Sequence, residues 1–253
     1  MKVTFLGTGT SQGVPVIACK CAICLSDDSR DKRLRTSVML SSEGMNVVID
    51  TGPDFRQQML REKVETLDAV VFTHEHKDHV AGLDDIRAFN FSQHKEMDVF
   101  ATPRVQEALR REFHYVFAET KYPGVPEVKL KTIDGGPFKI GEMQFTPVEV
   151  MHYKMPVLGF RIGNFAYVTD ANYIAPAELE KLKGLDVLVL NALRIQTHMS
   201  HFSLSEALEI IDFLKPKKAY LTHISHLLGK HEVVANALPT HVELAYDGLS
   251  IEV

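Results

Sequence analysis

An α/β fold is predicted by three observations. Short β-branched apolar runs recur along the chain, Leu67-Asp68-Ala69-Val70-Val71-Phe72 being the clearest. Such a run can lead straight into helical spacing, as Val80, Leu83, Ile86 and Phe89 do after this one. Finally, 253 residues of which 45% are apolar can bury one large core, so residues 1–253 read as one domain. The chain shows no internal repeat, low-complexity tract or linker. Its net charge of −5 argues against a broad nucleic-acid footprint. No apolar run reaches the roughly 18 residues of a membrane span and no leader pattern opens the chain, so a cytoplasmic protein without membrane partners is expected. Three clustered cysteines suit a metal better than a disulfide framework.

Lys2 to Leu6 reads as the opening strand, closed by Gly7-Thr8-Gly9-Thr10-Ser11-Gln12-Gly13. This turn lacks the Lys-Ser/Thr ending of a P-loop, so a tight turn that brings backbone close to a site competes with phosphate cradling. Cys19-Lys20-Cys21-Ala22-Ile23-Cys24 follows. Thiolates at this spacing suit one zinc completed by a fourth ligand from elsewhere; metal-free reduced cysteines and a redox sensor are the competing readings. Arg30, Lys32, Arg33 and Arg35 read as an exposed basic face, with Arg33 and Arg35 as alternative phosphate contacts. Thr36–Leu40 and Asn46–Ile49 predict a hairpin about Ser41-Ser42-Glu43-Gly44, ending in Asp50-Thr51-Gly52-Pro53.

The run Leu67–Phe72 enters Thr73-His74-Glu75-His76-Lys77-Asp78-His79, and a helix is expected from Asp78 or His79. Asp98–Ala101 is a short strand, and Thr102-Pro103 supplies a cap and an N1 proline for the next helix. Residues 113–126 are aromatic and broken by Pro and Gly; a lid, a homodimer contact and a packed connection all fit. Glu127–Thr132 and Met143–Val150 read as strands, the second leading to His152. Val157–Ile162 and Phe165–Thr169 form a hairpin about Gly163-Asn164 that ends in Asp170. After a buried strand at Leu185–Leu190 comes a loop with His198 and His201, and Ser203-Leu204-Ser205-Glu206 is a capping box for a helix to about Leu214. Lys218–Thr222 is a strand that ends at His223, with His226 three residues on.

Three imidazoles and a carboxylate within six residues, at the carboxyl end of a strand, suit one or two ions of zinc's borderline character. A polar loop that happens to be rich in histidine is the bland alternative. His74-x-His76-x-Asp78-His79 after a buried strand resembles the signature of the metallo-β-lactamase fold hydrolases, and the opening strand with Gly-Thr-Gly resembles the start of that family. The resemblance implies an αββα sandwich, two β-sheets flanked by helices, with two ions in a cleft between the sheets. It implies that His74, His76 and His152 hold one ion, that Asp78, His79 and His223 hold the other, and that Asp170 bridges them. Asp50 would then support a ligand histidine from behind. In phosphodiesterase branches a histidine followed closely by Ser or Thr at the cap is catalytic, which His201-Phe202-Ser203 matches better than His198; Asp78 would also orient the nucleophile.

With His223 assigned, His226 is free to complete the site of Cys19, Cys21 and Cys24. The C-x-C-x-x-C cluster and the late His-x-x-His together resemble the PhnP-type phosphoribosyl cyclic phosphodiesterase branch. By this resemblance the chain is a dinuclear hydrolase, using two Zn2+ or Mn2+ plus a third, structural Zn2+. It would cleave a small cyclic or sugar phosphodiester through a metal-bridging hydroxide, with His201 protonating the leaving oxygen. A tRNA 3′-end endonuclease shares the motif but adds an extended basic arm that is not found here. A thioester or lactone hydrolase would leave His201-Phe202-Ser203 and the cysteines without purpose.

Overall fold

The computed structural model describes residues 1–253, in four layers: two β-sheets packed face to face, each covered by helices on its outer side. Strands β1 (Lys2–Gly7), β2 (Ser37–Ser42), β3 (Met45–Ile49), β4 (Ala69–Val71), β5 (Met97–Ala101) and β6 (Val128–Thr132) lie side by side in that order. The second sheet is built from β7 (Phe138–Ile140), β8 (Met143–His152), β9 (Met155–Ile162), β10 (Phe165–Val168), β11 (Tyr173–Ile174), β12 (Val187–Asn191), β13 (Lys218–Thr222) and β14 (Val242–Leu244). Its order is β11-β8-β9-β10-β12-β13-β14, with β7 paired to β8. The last strand, β15 (Ser250–Glu252), returns to the first sheet beside β1. The first sheet is covered by α1 (Phe55–Glu62), α2 (Lys77–Val80), α3 (Arg87–Gln93) and α4 (Pro103–Glu112). The second is covered by α5 (Pro176–Lys181), α6 (Leu204–Leu214) and α7 (His231–Ala235). No helix is long and apolar enough to cross a membrane.

Strand alternation sorts the core into three parts. Val47, Ile49, Ala69 and Val71 face the inter-sheet core with Phe145, Phe160 and Val189. Their neighbours Val48 and Val70 face the helices with Phe55, Phe89 and Leu109. In β12, Val187 and Val189 point inward, whereas Leu188 and Leu190 pack against Ala207 and Ile211 of α6. Both faces of the central strands are buried, which is why their sequences are unbroken apolar runs.

The helix expected after the histidine motif is interrupted. It starts at Lys77, stops at Val80, passes through a tight turn at Leu83–Ile86 and resumes as α3. Gly82 donates its N–H to Thr51 O at 2.8 Å, and a Cβ on Gly82 or Gly52 would strike the backbone carbonyl of Gly52 or Asp78 respectively. This close approach breaks the helix and clamps the Asp50 loop beneath the motif. The hairpin strands β2 and β3 extend to a two-residue turn at Glu43-Gly44, and β7 was not anticipated. In the aromatic segment, Phe113 and Val116 are buried in the helix-side core and Tyr115 Oη donates to Asp84 Oδ1 at 2.6 Å, so its first part is a packed connection; Tyr122, later in the same segment, is exposed.

Arg33 is not on an exposed face but 4% exposed. Its Nη1 donates to Thr8 Oγ1 at 2.8 Å and Ala245 O at 2.6 Å, and its Nη2 donates to His231 Nδ1 at 3.2 Å. Thr8 Oγ1 in turn donates to Asp247 Oδ1, and the His231 backbone N–H donates to Asp31 Oδ1, each at 2.7 Å. Arg35 is held by Asp54 at 3.1 Å and by Ser11 O, so neither arginine faces the cleft. The basic stretch therefore ties the N-terminal loops to the end of the chain.

Burial and the neighbouring Arg33 push the His231 imidazole down to about 4, which keeps the ring neutral as an acceptor. Its folded-state pKa lies below the unfolded value of about 6.5, so its contribution is complete above that pH and is lost as pH falls towards 4. The expected loss is roughly 1–3 kcal/mol of unfolding free energy. Urea melts at pH 7, 5 and 4 should show it in the native chain, and the His231→Gln variant, which keeps an acceptor, should lose most of the difference.

Candidate metal centre

The carboxyl ends of five strands converge at one edge of the sandwich. Asp50 follows β3, Thr73 and His74 follow β4, His152 ends β8, Asp170 follows β10 and His223 follows β13. Three of these ends turn through left-handed backbone: Asp50 at φ 67°, Asp170 at φ 59° and His223 at φ 54°. Asp and His tolerate this region better than most residues, and the turn swings each side chain from the strand into the cleft. His201 reaches the same place from the loop before α6, where the Ser203–Glu206 capping box fixes the helix start and Phe202 N–H donates to Ala171 O at 2.7 Å.

The ligand-type atoms form two groups that share an edge. His74, His76 and His152 make one; Asp78, His79, Asp170 and His223 make the other; within each, the atoms lie within 4.8 Å of one another. Asp170 faces both. Its Oδ2 is 3.8 Å from His74 Nε2, while its Oδ1 is 3.4 Å from His79 Nε2 and 3.1 Å from His223 Nδ1. Behind them, Asp50 Oδ2 accepts from His79 Nδ1 at 2.7 Å and from Thr73 Oγ1 at 2.7 Å, and Thr73 Oγ1 lies 3.0 Å from His74 Nδ1. His152 Nδ1 donates to Ser200 O at 2.8 Å, and Thr10 Oγ1 lies 3.2 Å from His223 Nε2. Each of these four rings is thus held by one nitrogen and turned so that the other faces the cleft.

Those cleft-facing atoms fit a cation. His74 Nε2, His79 Nε2 and His223 Nδ1 are buried and have no hydrogen-bond partner, an arrangement that is costly unless a ligand satisfies it. Protonation states point the same way. Burial, then the neighbouring His79, holds His74 well below the ordinary imidazole range, and burial likewise lowers His223, so both rings keep a free lone pair. Burial opposes ionisation of Asp78 and Asp170, yet the surrounding histidines hold both carboxyls below the usual range. Against its own burial, His79 is driven far upward by Asp170, Asp78 and Asp50. Three carboxylates around one imidazole demand positive charge at this point.

Cys19, Cys21 and Cys24 present their Sγ atoms to His226 Nδ1 at 3.4, 3.4 and 3.5 Å. Sulfur and nitrogen bound to one zinc at about 2.3 and 2.0 Å in a tetrahedron would stand about 3.5 Å apart, so these four atoms fit such an ion. The backbone N–H of Cys24 and the His226 ring lower the Cys21 thiol to about 6, while burial raises Cys24 to about 11.

The open approach to the cleft is a pocket of about 420 Å³ lined by His76, His152, Arg104, Tyr153, Lys154 and Met199, with Met155 and Ser200 completing it. Sequence reading named only the two histidines here. Arg104 lies just inside the capped start of α4, where its Nε donates to Glu75 Oε1 at 2.6 Å. A larger cavity of about 650 Å³ lies between α1 and α3, lined by Phe55, Met59 and Phe89, and contains no residue of the histidine cluster. Size therefore does not mark the candidate site; the converging ligand-type atoms do.

Residues 45–224 match the family described as the β-lactamase superfamily domain. The chain is 40% identical over 252 residues to an octanoyltransferase of Porphyromonas gingivalis; the alignment takes in 98% of this chain but only 51% of that protein, about half its length. Among solved structures, a diphosphatase from the PhnP family superposes with a TM-score of 0.93 at 41% identity, covering 100% of this chain and 97% of that one. Zn(2+)-bound PqqB of Methylobacterium extorquens superposes at 0.82 with 18% identity over the full length of both chains, which is a likeness of fold. The matched span carries the motif from His74 to His79 together with His152, Asp170, His201 and His223, and the chain belongs to the metallo-β-lactamase superfamily, in its PhnP branch.

Proposed function

We propose that this chain is a dinuclear phosphodiesterase acting on small anionic phosphodiesters or diphosphates. The observation that carries the reading is Asp170, set between two ligand groups with His201 alongside: one ring nitrogen of His201 lies within 4.8 Å of ligand atoms of His152 and Asp170. The solved PhnP-family relative is a diphosphatase. A phosphodiester and the inner phosphorus of an organic diphosphate present the same reacting unit, a phosphorus between two bridging oxygens. The octanoyltransferase name belongs to a protein about twice as long, and the cationic pocket beside this cleft suits an anion better than an acyl chain. Neither a basic arm nor a positive net charge favours the tRNA endonuclease reading.

In this reading His74, His76 and His152 would hold one ion and Asp78, His79 and His223 the other, with Asp170 shared between them. When bound, such a pair supplies Lewis acidity and lowers the pKa of water from about 15.7 towards about 7. The protein's own contribution is orientation. Asp50 fixes His79 directly and His74 through Thr73, while Ser200 O fixes His152. His201 supplies the proton to the leaving oxygen. Burial and the nearby His223 hold its ring down to about 3 in the metal-free cluster, a value far from the ordinary imidazole assumed from sequence. A phosphate anion arriving beside it would raise that basicity, because negative charge nearby favours imidazolium.

His201→Ala is therefore expected to lower kcat on an alkyl-leaving-group diester by about 10²–10⁴-fold, and on bis(p-nitrophenyl) phosphate far less, since that leaving group needs no proton. Steady-state rates with metal content measured in parallel check this; equal losses on both substrates would remove His201 from the role. Asp170→Ala should abolish turnover on both.

The site of Cys19, Cys21, Cys24 and His226 is read as structural zinc, separate from the catalytic pair. Cys21→Ser is expected to lose one metal equivalent by elemental analysis and to lower Tm. Unchanged metal content and stability would exclude it.

A further inference from the structure

Asn191 ends β12 after the apolar run Val187–Leu190, and it is fully buried. A buried amide needs partners for its oxygen and for its N–H groups. This one turns to a single residue: Oδ1 accepts from Ala171 N–H at 2.8 Å, and Nδ2 donates to Ala171 O at 2.9 Å. The parallel ladder between β10 and β12 runs from Phe165 beside Val187 to Val168 beside Leu190. It goes no further, because Asp170 turns left-handed at φ 59°. The Asn191 amide takes the place of the missing rung and satisfies both backbone groups of the residue after the turn.

Ala171 joins two parts of the site. Its N–H belongs to the peptide that leaves the Asp170 turn, so the amide fixes how that turn ends. Its carbonyl oxygen also accepts from Phe202 N–H at 2.7 Å, in the peptide that follows His201. From the other side, Leu193 N–H donates to Phe202 O at 2.9 Å, which ties the His201 loop to the segment just beyond Asn191. The next residue, Asn172, serves the His152 side. Its Oδ1 accepts from Tyr153 N–H at 2.7 Å, where Tyr153 takes φ 58°, and its Nδ2 donates to Met199 O at 3.1 Å.

His201 depends on this frame more than the other rings do. His74, His79, His152 and His223 each have a ring nitrogen beside a polar neighbour, whereas His201 Nδ1 is buried with no hydrogen-bond partner. With no bond to Nδ1 to aim the ring, its backbone must place it. We propose that Asn191 is a positioning residue that, acting through Ala171, sets His201 in register with Asp170. This rests on the phosphodiesterase reading and deepens it. As the P–O bond breaks, its electron pair passes to the leaving oxygen, which takes a proton from His201. That transfer needs heavy atoms within about 3 Å of one another, and a misplacement of about 1 Å can cost about 10²-fold.

The test uses the zinc-loaded enzyme with two substrates, uridine 2′,3′-cyclic phosphate, whose leaving oxygen needs a proton, and bis(p-nitrophenyl) phosphate, whose does not. Asn191→Leu keeps the branching of the side chain and removes both bonds. Asn191→Asp keeps the acceptor for Ala171 N–H, and so covers the case in which the leucine variant does not fold. Each variant is expected to lose about 10–10²-fold in kcat on the cyclic diester at unchanged metal content. The loss on the activated diester should stay within about threefold. In a His201→Ala background the same substitutions should cost the cyclic diester no more than about a further twofold, because the two residues act as one unit. Equal losses on both substrates, or an undiminished loss in the His201→Ala background, overturn the assignment. If the native chain with both ions bound hydrolyses neither diester, the phosphodiesterase reading fails. The positioning is then judged on the His201 Hε1 proton resonance, identified by its disappearance in His201→Ala. A displaced signal in both Asn191 variants upholds the positioning, and an unmoved one overturns it.

Discussion

His79 sits among three carboxylates, with Asp50 Oδ2 at 2.7 Å on one side and Asp78 Oδ2 at 3.3 Å and Asp170 Oδ1 at 3.4 Å on the other. His79 and Asp50 are fully buried, and Asp170 nearly so. Uncompensated charge in such surroundings is expensive, so this edge of the sandwich is stable only with positive charge among the carboxylates. In the metal-free chain the raised basicity of His79 places a proton there. A divalent pair would do the same with more charge and would free the His79 nitrogen as a ligand, so metal binding and proton release are coupled. The surrounding structure serves this demand: two sheets with both faces buried give rigid strands, and the strands end together at the cluster.

The N-terminal loop is tied into the same edge. Ile224 N–H donates to Thr8 O at 2.8 Å and Thr10 N–H donates to Ile224 O at 3.1 Å, which ladders the turn after β1 onto the residue following His223. Two residues further, His226 reaches the cysteines. One short segment after β13 therefore carries a candidate ligand of the catalytic centre and one of the cysteine site. A metal on the cysteines would stiffen that segment from its far side, much as Asp50 stiffens the motif loop.

Local pattern made much of this legible. Unbroken apolar runs mark strands buried on both faces, and a ligand-type residue at a strand's end is already visible in His74, His152, Asp170 and His223. Other features depend on which segments meet in space. Thr73 looks like an ordinary strand-end residue until Asp50 arrives from β3, and Arg33 looks like surface until Thr8, Ala245 and His231 close around it. The break in the motif helix follows from the approach of Gly82 to Thr51, which no helical periodicity encodes. Tyr153-Lys154 did carry a local signal, since a two-residue hairpin without glycine departs from turn chemistry. That signal becomes readable only once the register of β8 against β9 is known.

The left-handed residues at the cleft show how the fold accommodates strain. Asp50, Asp170 and His223 are residue types for which positive φ is mildly unfavourable, and each is bound from both sides: Asp50 by Thr73 and His79, Asp170 by Thr169 and the histidines, His223 by Thr10 and Asp170. Their strain is small and is offset inside the cluster itself. Tyr153 is the expensive case, anchored by one backbone bond to Asn172 with its ring in solvent. The inner turns are explained by the side chains they aim into the cluster, two of them ligand-type and one, Asp50, holding His79 from behind. Tyr153 is held instead through Asn172, whose amide also donates to Met199 O and so ties this turn to the loop before His201.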